Sequence, residues 1–283
     1  MGLSPVSRDR VTRIALGRRP VSGRLTGKGA LILGAGGQGN MGQAIARRFA
    51  REGAKLVVSA RSTAAIENLA TELAGTAVTC DIRSKSSIEA LADEARATLG
   101  RIDIAVDCTG ANFAMPFLET TGEQLQDLFD LQFRGPFQFM QVMVEAMDHG
   151  GSIIRISSAA STIMLDDYAA YRGTKAAMDQ VARSVADEFG SQGIRVNSIS
   201  PGAVRTPMTA EVWAHPGVVA EFDRTSPLGR TATVDEIAAA AVWLAEDDCF
   251  MTGENLHVSG GLMLRSNPTK QQILAAMALT AAT

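Results

Sequence analysis

Tyr171 and Lys175 stand four residues apart in the stretch Tyr171-Arg172-Gly173-Thr174-Lys175. On a helix that spacing puts both side chains on one face, a turn from each other, so an ammonium sits beside a phenol. A free phenol titrates at about pH 10 and is useless as an acid or base at neutrality, but a neighbouring cation favours the phenolate and lowers that value. Ser158 lies upstream in Ser152-Ile153-Ile154-Arg155-Ile156-Ser157-Ser158, an apolar run of strand character that ends in hydroxyls. A strand end and a helix start bring the two side chains together as a proton donor, its tuner and a second hydrogen-bond donor for a carbonyl oxygen. The bland alternative is an accidental Tyr–Lys spacing on an exposed helix face and serines that serve a turn. The surroundings decide between them, and the chain's two tyrosines, Tyr168 and Tyr171, both fall here.

The elements that must position these residues alternate along the chain. Ala30 to Gly34 is a short apolar strand that runs into Gly34, Gly36, Gly37, Gly39 and Gly42, and an amphipathic helix then runs from Met41 to Gly53, just after Asn40. Strand, glycine turn and helix N-terminus together make an anion cradle: free N–H groups and the helix dipole face a pyrophosphate, and glycine lets it approach. A flexible loop is the other reading of those glycines. Lys55 to Ala60 is the second strand, whose end reads an adenosine ribose. Arg61 stands there in place of a carboxylate, so a 2′-phosphate is tolerated and a guanidinium can bind it bidentately. NADP(H) is favoured, NAD(H) remains the alternative, and Arg61 could equally be a solvated surface residue.

Helices follow at 64–73 and 85–99, with strands at 77–80 and 102–107. Asp81 suits an adenine amino group and Ile82 its ring. After Thr109-Gly110 a long helix is expected to break at Gly135-Pro136, with Phe129, Phe133 and Phe137 forming a packing or subunit-interface stripe. The helix of Tyr171 carries Ala176, Met178, Val181, Ala182, Val185 and Phe189 as a buried stripe. A strand at 193–200, a Pro-punctuated mobile lid after Pro201-Gly202, a helix capped by Thr231 or Thr233, a last strand near 255–261 and a terminal helix over 270–279 complete the pattern. Strands alternating with helices imply an α/β, Rossmann-type doubly wound parallel sheet in a single domain over 26–264, with a C-terminal tail or helix over 265–283.

Composition agrees: 283 residues, 46% hydrophobic and 20% charged, suit a soluble globular chain. A net charge of −3 offers nothing to nucleic acid. The first 28 residues nevertheless carry seven basic side chains against Asp9 alone, leaving −9 on the rest. That basic arm, over 1–25, reads as a flexible extension; it lacks the apolar core of a signal peptide, and Val6 stands where an acylation signal needs Ser or Thr. No stretch has the apolar length of a membrane span. Cys80, Cys108 and Cys249 show no C-x-x-C spacing and read as reduced thiols of a cytoplasmic protein, and the scattered histidines suggest no metal.

From Leu25 to Leu264 the chain resembles the short-chain dehydrogenase/reductase superfamily. The glycine turn, Asp81-Ile82, Ser158, Tyr171 with Lys175, Ser200-Pro201-Gly202-Ala203-Val204-Arg205-Thr206-Pro207-Met208 and the final Ser259-Gly260-Gly261 carry the likeness together. The resemblance implies hydride transfer between a nicotinamide and a ketone or secondary alcohol. Tyr171 would move the oxygen's proton, Lys175 would hold the nicotinamide ribose and tune Tyr171, Ser158 would steady the substrate oxygen, and Val204 and Thr206 would meet the carboxamide. It also implies a homotetramer or homodimer. Three departures stand out. The glycine turn is two residues longer than the family's common spacing and is similar to that of the enoyl-acyl-carrier-protein reductases; Tyr168, seven before Lys175, fits their tyrosine–lysine spacing, so an enoyl-thioester reductase using Tyr168 is the alternative. Asp107-Cys108-Thr109-Gly110 replaces the usual Asn-Asn-Ala-Gly, and Gln132 aligns with the asparagine that often holds a relay water. A third reading, from another class, is a non-catalytic nucleotide-binding scaffold. Phe113, Met115, Met164, Leu165, Tyr168, Met208 and Trp213 suggest an apolar small-molecule substrate, with Asp166 and Asp167 as polar contacts; ordinary lid packing is the alternative for any of them.

Overall fold

Gly29–Leu33 (β1) is buried at all five positions, as a strand must be when helices cover both faces of its sheet. A computed structural model describes residues 23–281, with nothing said of the side chains of 280 and 281. The basic arm expected over 1–25 therefore lies outside the described residues except for its last three. Met41–Arg51 (α1), Lys55–Ala60 (β2), Thr63–Glu72 (α2), Thr76–Thr79 (β3), Lys85–Leu99 (α3) and Ile104–Asp107 (β4) follow in alternation. The second half adds Gly151–Ile156 (β5), Ile194–Pro201 (β6) and Asn255–Val258 (β7), giving a seven-stranded sheet in the order β3-β2-β1-β4-β5-β6-β7. Every adjacent pair is parallel. The order reverses beside β1, so the carboxyl ends of β1 and β4 open a crevice of the kind that takes ligands in doubly wound sheets.

Two apolar layers hold the sheet. One packs α1 and Val234–Ala245 (α9) on one face around Phe49, Ile45, Ile237 and Val242; the other packs α3 and two further helices on the opposite face around Ile88, Phe139 and Met178. Phe49 is fully buried, and truncating such a ring costs about 3–5 kcal/mol. The α9 cap is Thr233, not Thr231, in a reciprocal capping box with Glu236.

The helix expected to break at Gly135-Pro136 does not break. Gly122–Phe129 (α4) runs through a π-helical turn over Asp130–Arg134 into Gly135–Ala146 (α5). A proline inside an α-helix lacks an N–H and collides with the carbonyl four residues back; the wider turn before Pro136 absorbs both defects, and such turns recur at functional sites. Ala169–Phe189 (α6) buries Lys175, Met178, Ala182 and Ala186. The expected stripe is thus rotated: Ala176 is exposed, and Val181, Val185 and Phe189 are half-buried. They line an apolar groove with Phe137, Met140 and Val144 of α5. The lid is itself helical, with Ala210–Trp213 (α7) and Pro216–Thr225 (α8). Lys270–Ala281 (α10) closes the described chain and packs on α8.

Candidate active site

Each wall of the site sits at the carboxyl edge of the sheet. Gly34 ends β1 with φ of +96°, and a Cβ there would lie 2.7 Å from the Cys108 carbonyl carbon, so only glycine fits the turn. A Cβ on Gly36 would lie 2.7 Å from that of Ala60, which brings the glycine turn against the end of β2, one residue before the exposed Arg61. Asn40 fastens the loop to the helix: its Oδ1 accepts from the Gln43 N–H at 2.9 Å as the α1 cap, while its Nδ2 donates to the Gly34 carbonyl at 2.8 Å. Met41 begins α1, and Gly37 lies beside Asn40. The result is a tight turn at a helix N-terminus that admits no side chain at Gly34 or Gly36, an arrangement that suits a pyrophosphate.

Beyond the cradle, Asp81 folds its Oδ1 onto the Arg83 N–H at 3.0 Å. Ile82 departs from expectation: it is 3% exposed and packs in the core with Leu33 and Val57, so its side chain has no face free to cover an adenine. Asp107 Oδ1 accepts both the Thr109 N–H and hydroxyl, at 2.8 and 2.6 Å. This pinned turn leads into Gly110, whose open face is bordered by Gln132 Oε1 and Lys175 Nζ. Gln132 sits in the π-helical turn, 1% exposed, and neither of its amide atoms has a partner within the protein. A buried amide left so is costly and marks a group held for something else.

The Ser158 hydroxyl comes near enough to the Tyr171 phenol to lower it. Arg172 Nε donates to the Ala160 carbonyl at 2.8 Å, tying α6 to the turn that carries Ser158. Lys175 Nζ lies 5.7 Å from the Tyr171 ring centroid and donates to the Ile156 carbonyl at 3.0 Å. The electrostatics differ from the simple pairing of phenol and cation. Burial pushes the Tyr171 phenol up, while Ser158 and then Arg155 pull it back down. Burial, reinforced by Arg155, drives Lys175 down to about 7. Tyr168 meets the Tyr171 ring edge-on at 5.6 Å, and its phenol is raised mainly by burial and pulled back by a hydrogen bond with Asn112.

On the substrate side, Met115 N–H donates to the Asp167 carbonyl at 2.7 Å, joining the loops that hold Phe113 and Leu165. Met164 and Met208 are 70% and 57% exposed. Trp213 is anchored by a 2.7 Å bond to Thr209 Oγ1 and an edge contact with Phe222. Asp166 and Asp167, expected as substrate contacts, are engaged instead by the Lys270 N–H at 2.7 Å and ammonium at 2.5 Å. Pro201 ends β6, Gly202 lies against Ser259, Val204 is buried and bridges to Ala232, and Thr206 caps the start of the lid.

Sequence reasoning missed Arg155 and Asp179. Arg155 lies 1% exposed inside β5, and Asp179 receives Ser157 Oγ and Asn255 Nδ2, each at 2.8 Å. The signals were present: a charge in an apolar strand, and an aspartate four residues beyond Lys175 on the same helix face.

A family model described as Enoyl-(Acyl carrier protein) reductase matches residues 34–263. The 3beta-hydroxysteroid dehydrogenase 1 of Eggerthella lenta is 35% identical over 250 residues, covering 84% of this chain and 95% of that protein. The chain belongs to the short-chain dehydrogenase/reductase family. It is therefore an oxidoreductase of the kind that works with nicotinamide dinucleotides. The D-threitol dehydrogenase of Mycolicibacterium smegmatis is likewise 35% identical over 250 residues, covering 86% of this chain and 95% of its own. A solved short-chain type dehydrogenase/reductase from Mycobacterium ulcerans superposes with a TM-score of 0.83 at 27% identity, over 86% of this chain and 92% of that one. Among the described residues no helix is long and apolar enough to cross a membrane.

Proposed function

We propose that this protein is an NADP-preferring carbonyl reductase or secondary-alcohol dehydrogenase that takes an apolar small molecule, with Tyr171 as its acid and base. The observation that carries the reading is a Ser158 hydroxyl that acts on the Tyr171 phenol beside a buried Lys175. Ser158 and Tyr171 converge where a substrate oxygen can accept from both: Ser158 holds that oxygen, and Tyr171 gives or takes its proton. Lys175 Nζ, already bonded to the Ile156 carbonyl, keeps two further donor positions for ribose hydroxyls. Gln132, with its amide free and facing Gly110, holds a relay water or a ligand hydroxyl for the proton's exit.

The residues fit a nicotinamide dinucleotide, since Gly34 and Gly36 make a turn too tight for any Cβ against the Asn40-capped start of α1, where Gly34, Gly36, Gly37, Asn40 and Met41 would border a pyrophosphate. Asp81, Thr109, Gly110, Lys175, Pro201, Gly202, Val204 and Thr206 would hold the remainder, and the exposed Arg61 a 2′-phosphate. When bound, the nicotinamide supplies or accepts the hydride.

Met164, Met208, Phe113, Met115, Leu165 and Trp213 support an apolar substrate, and a steroid alcohol, the substrate class in the name of the Eggerthella relative, fits better than the polyol of the Mycolicibacterium one. The apolar groove of Phe137, Met140, Val181, Val185 and Phe189, continued by the stacked Phe129 and Phe133, supports a homodimer or homotetramer. The three unpaired cysteines support a cytoplasmic setting. The description of the matching family and the long glycine turn favour a second reading, an enoyl-thioester reductase using Tyr168.

Replacing Tyr171 by Phe separates the two. Turnover of ketones and enoyl thioesters with NADPH falls about 10²- to 10⁴-fold while NADPH binding, followed by nicotinamide fluorescence, is kept. A comparable loss in Tyr168→Phe but not in Tyr171→Phe transfers the role to Tyr168. In the same binding assay Arg61→Ala weakens NADPH by about tenfold or more and leaves NADH unchanged; equal wild-type affinity for both overturns the NADP preference.

A further inference from the structure

The segment after β7 runs past the stretch matched by the family model, which ends at residue 263, and it is tied to the body of the protein at four points. Arg265 Nη1 donates to the Arg224 carbonyl at 2.9 Å. That carbonyl lies in the last turn of α8, where carbonyls lack intrahelical partners and a cation suits the helix dipole. Asn267 Nδ2 donates to the Met164 carbonyl at 2.8 Å, and Pro268 beside it is buried in an otherwise open stretch. α10 then starts at Lys270, behind a reciprocal capping of Thr269 and Gln272. The Lys270 N–H, free of intrahelical partners, is taken by Asp166 Oδ2 at 2.7 Å, and the Lys270 ammonium reaches Asp167 Oδ2 at 2.5 Å. Two carboxylates at a helix N-terminus complement its dipole, so Asp166 and Asp167 hold α10 from a distant part of the chain. Farther along, α10 packs on α8, with the half-buried Ile273, Ala276 and Met277 on one side.

Both partners of this segment lead to the active site. On one side, Asp167 is held at φ of +64°, a left-handed conformation that a non-glycine residue keeps where its surroundings impose it. Its carbonyl meets the Met115 N–H at 2.7 Å and its carboxylate meets Lys270. The next residue, Tyr168, caps the start of α6 and touches the Tyr171 ring edge-on. On the other side, α8 carries Phe222, whose ring centroid lies 5.3 Å from that of Trp213 on α7. We propose that residues 265–279 are a strap: docked on Asp166 and Asp167 at one end and on α8 along its length, they fasten the lid to the loop before α6, so that the two walls of the substrate site open and close as one. Lys270 and Arg265 are its positioning residues. Each tie is exposed and weak alone, which makes the strap a latch that an entering ligand can release. The inference rests on the reading that places substrate between these walls, and it adds that an element outside the family's matched span sets how far they part.

The chain has two tryptophans, Trp213 in the lid and Trp243 on α9, so the lid can be watched without a substrate. In a Trp243→Phe background, acrylamide quenching of the remaining fluorescence reports how open the lid is around Trp213, with far-ultraviolet circular dichroism checking the fold. Lys270→Glu, which puts a charge there that Asp166 and Asp167 repel, raises the quenching constant by about twofold. Arg265→Ala raises it by less, Lys270→Arg keeps the wild-type value, and about 1 M salt brings wild type toward Lys270→Glu. Asp167→Asn tolerates the left-handed backbone and loses the ion pair. It matches Lys270→Ala, and the double variant goes no further than either alone. A segment that only orders its own helix would leave Trp213 unmoved in every variant. Unchanged quenching in Lys270→Glu, or additive effects of Asp167→Asn and Lys270→Ala, overturns the proposal; if Lys270→Glu does not fold, Lys270→Ala decides in its place. Turnover of Tyr171→Phe is a separate readout. Its loss together with unmoved quenching overturns the strap and leaves the proposed function standing, and its retention together with raised quenching overturns that function and leaves the lid fastened by the strap.

Discussion

At the turn after β1, Gly34, Gly36 and Gly42 touch neighbouring backbone or Cβ atoms so closely that an added methyl would overlap them, and Asn40 bonds both ends of the turn. Around the loop at 164–167 and the lid, on the proposed substrate side, Met164 and Met208 are mostly exposed, and the loop is held to Asn267 and Lys270 by exposed polar contacts. The first region is held by shape and by part-buried hydrogen bonds; the second by few, exposed contacts that can be remade. Such a difference suits one invariant ligand and one variable one, because flexible apolar walls adapt where a cradle cannot. It also agrees with relatives that share a third of this sequence and carry names as different as a steroid and a tetritol dehydrogenase.

The largest expected effect breaks the rigid half. Gly34→Val demands a φ of +96° from a branched residue and pushes a Cβ to within 2.7 Å of the Cys108 carbonyl carbon. Strain and overlap together cost about 3 kcal/mol or more, measured by urea unfolding. Gly173→Ala is the control: nothing lies within 4 Å of a Cβ there, and a helical alanine gains about 0.5–1 kcal/mol over glycine. Equal effects at the two sites would end the distinction between a packed turn and an ordinary glycine.

Lys175 sharpens the comparison through pH. Its folded value is about 7, against 10.5 for an ordinary lysine. Between those values the unfolded chain holds a proton that the folded chain lacks, so this group makes stability rise with pH from about 7 to 10.5. Below about 7 both states are protonated, and the cost of burying the ammonium is constant and complete. Lys175→Met removes that cost. The variant is therefore more stable than wild type below pH 7, by about 1–3 kcal/mol, and the gain fades toward pH 10.5. Unfolding midpoints across that range check it, and a gain independent of pH would mean that the lysine is not titrating in the fold. A more stable but inactive variant is the trade expected of a site built from a buried charge.

The sheet, the glycine turn and the placing of Tyr171 and Lys175 on one helix were legible in the sequence because local rules govern them. Glycines mark turns, apolar runs mark strands, and a four-residue spacing puts Tyr171 and Lys175 on one helix face. The misreadings arose where distant partners decide. Pro136 reads as a break until a wider turn accommodates it. Val181 and Val185 read as core until Lys175 and Ala186 prove to hold the buried face of α6. Asp166 and Asp167 read as substrate contacts because Lys270, more than a hundred residues later, is invisible to local spacing.

The clasp around Lys270 carries the smallest effect and marks where the flexible half begins. Its ammonium lies 2.5 Å from Asp167 Oδ2, Asn267 Nδ2 donates to the Met164 carbonyl at 2.8 Å, and Arg265 Nη1 donates to the Arg224 carbonyl on α8 at 2.9 Å. These contacts join the C-terminal segment to both the 164–167 loop and the lid, and Asp167 itself is held at φ of +64°. Exposed pairs of this kind are weak and screened by salt, so Lys270→Ala leaves the unfolding midpoint unchanged. What it loosens is the wall of the substrate site: KM rises by a factor of about two to five with kcat unchanged, and high salt brings wild type to the same KM. A fall in kcat as large as that of Tyr171→Phe would show instead that the clasp positions the reacting atoms, and the division between a rigid half and an adaptable one would have to be redrawn.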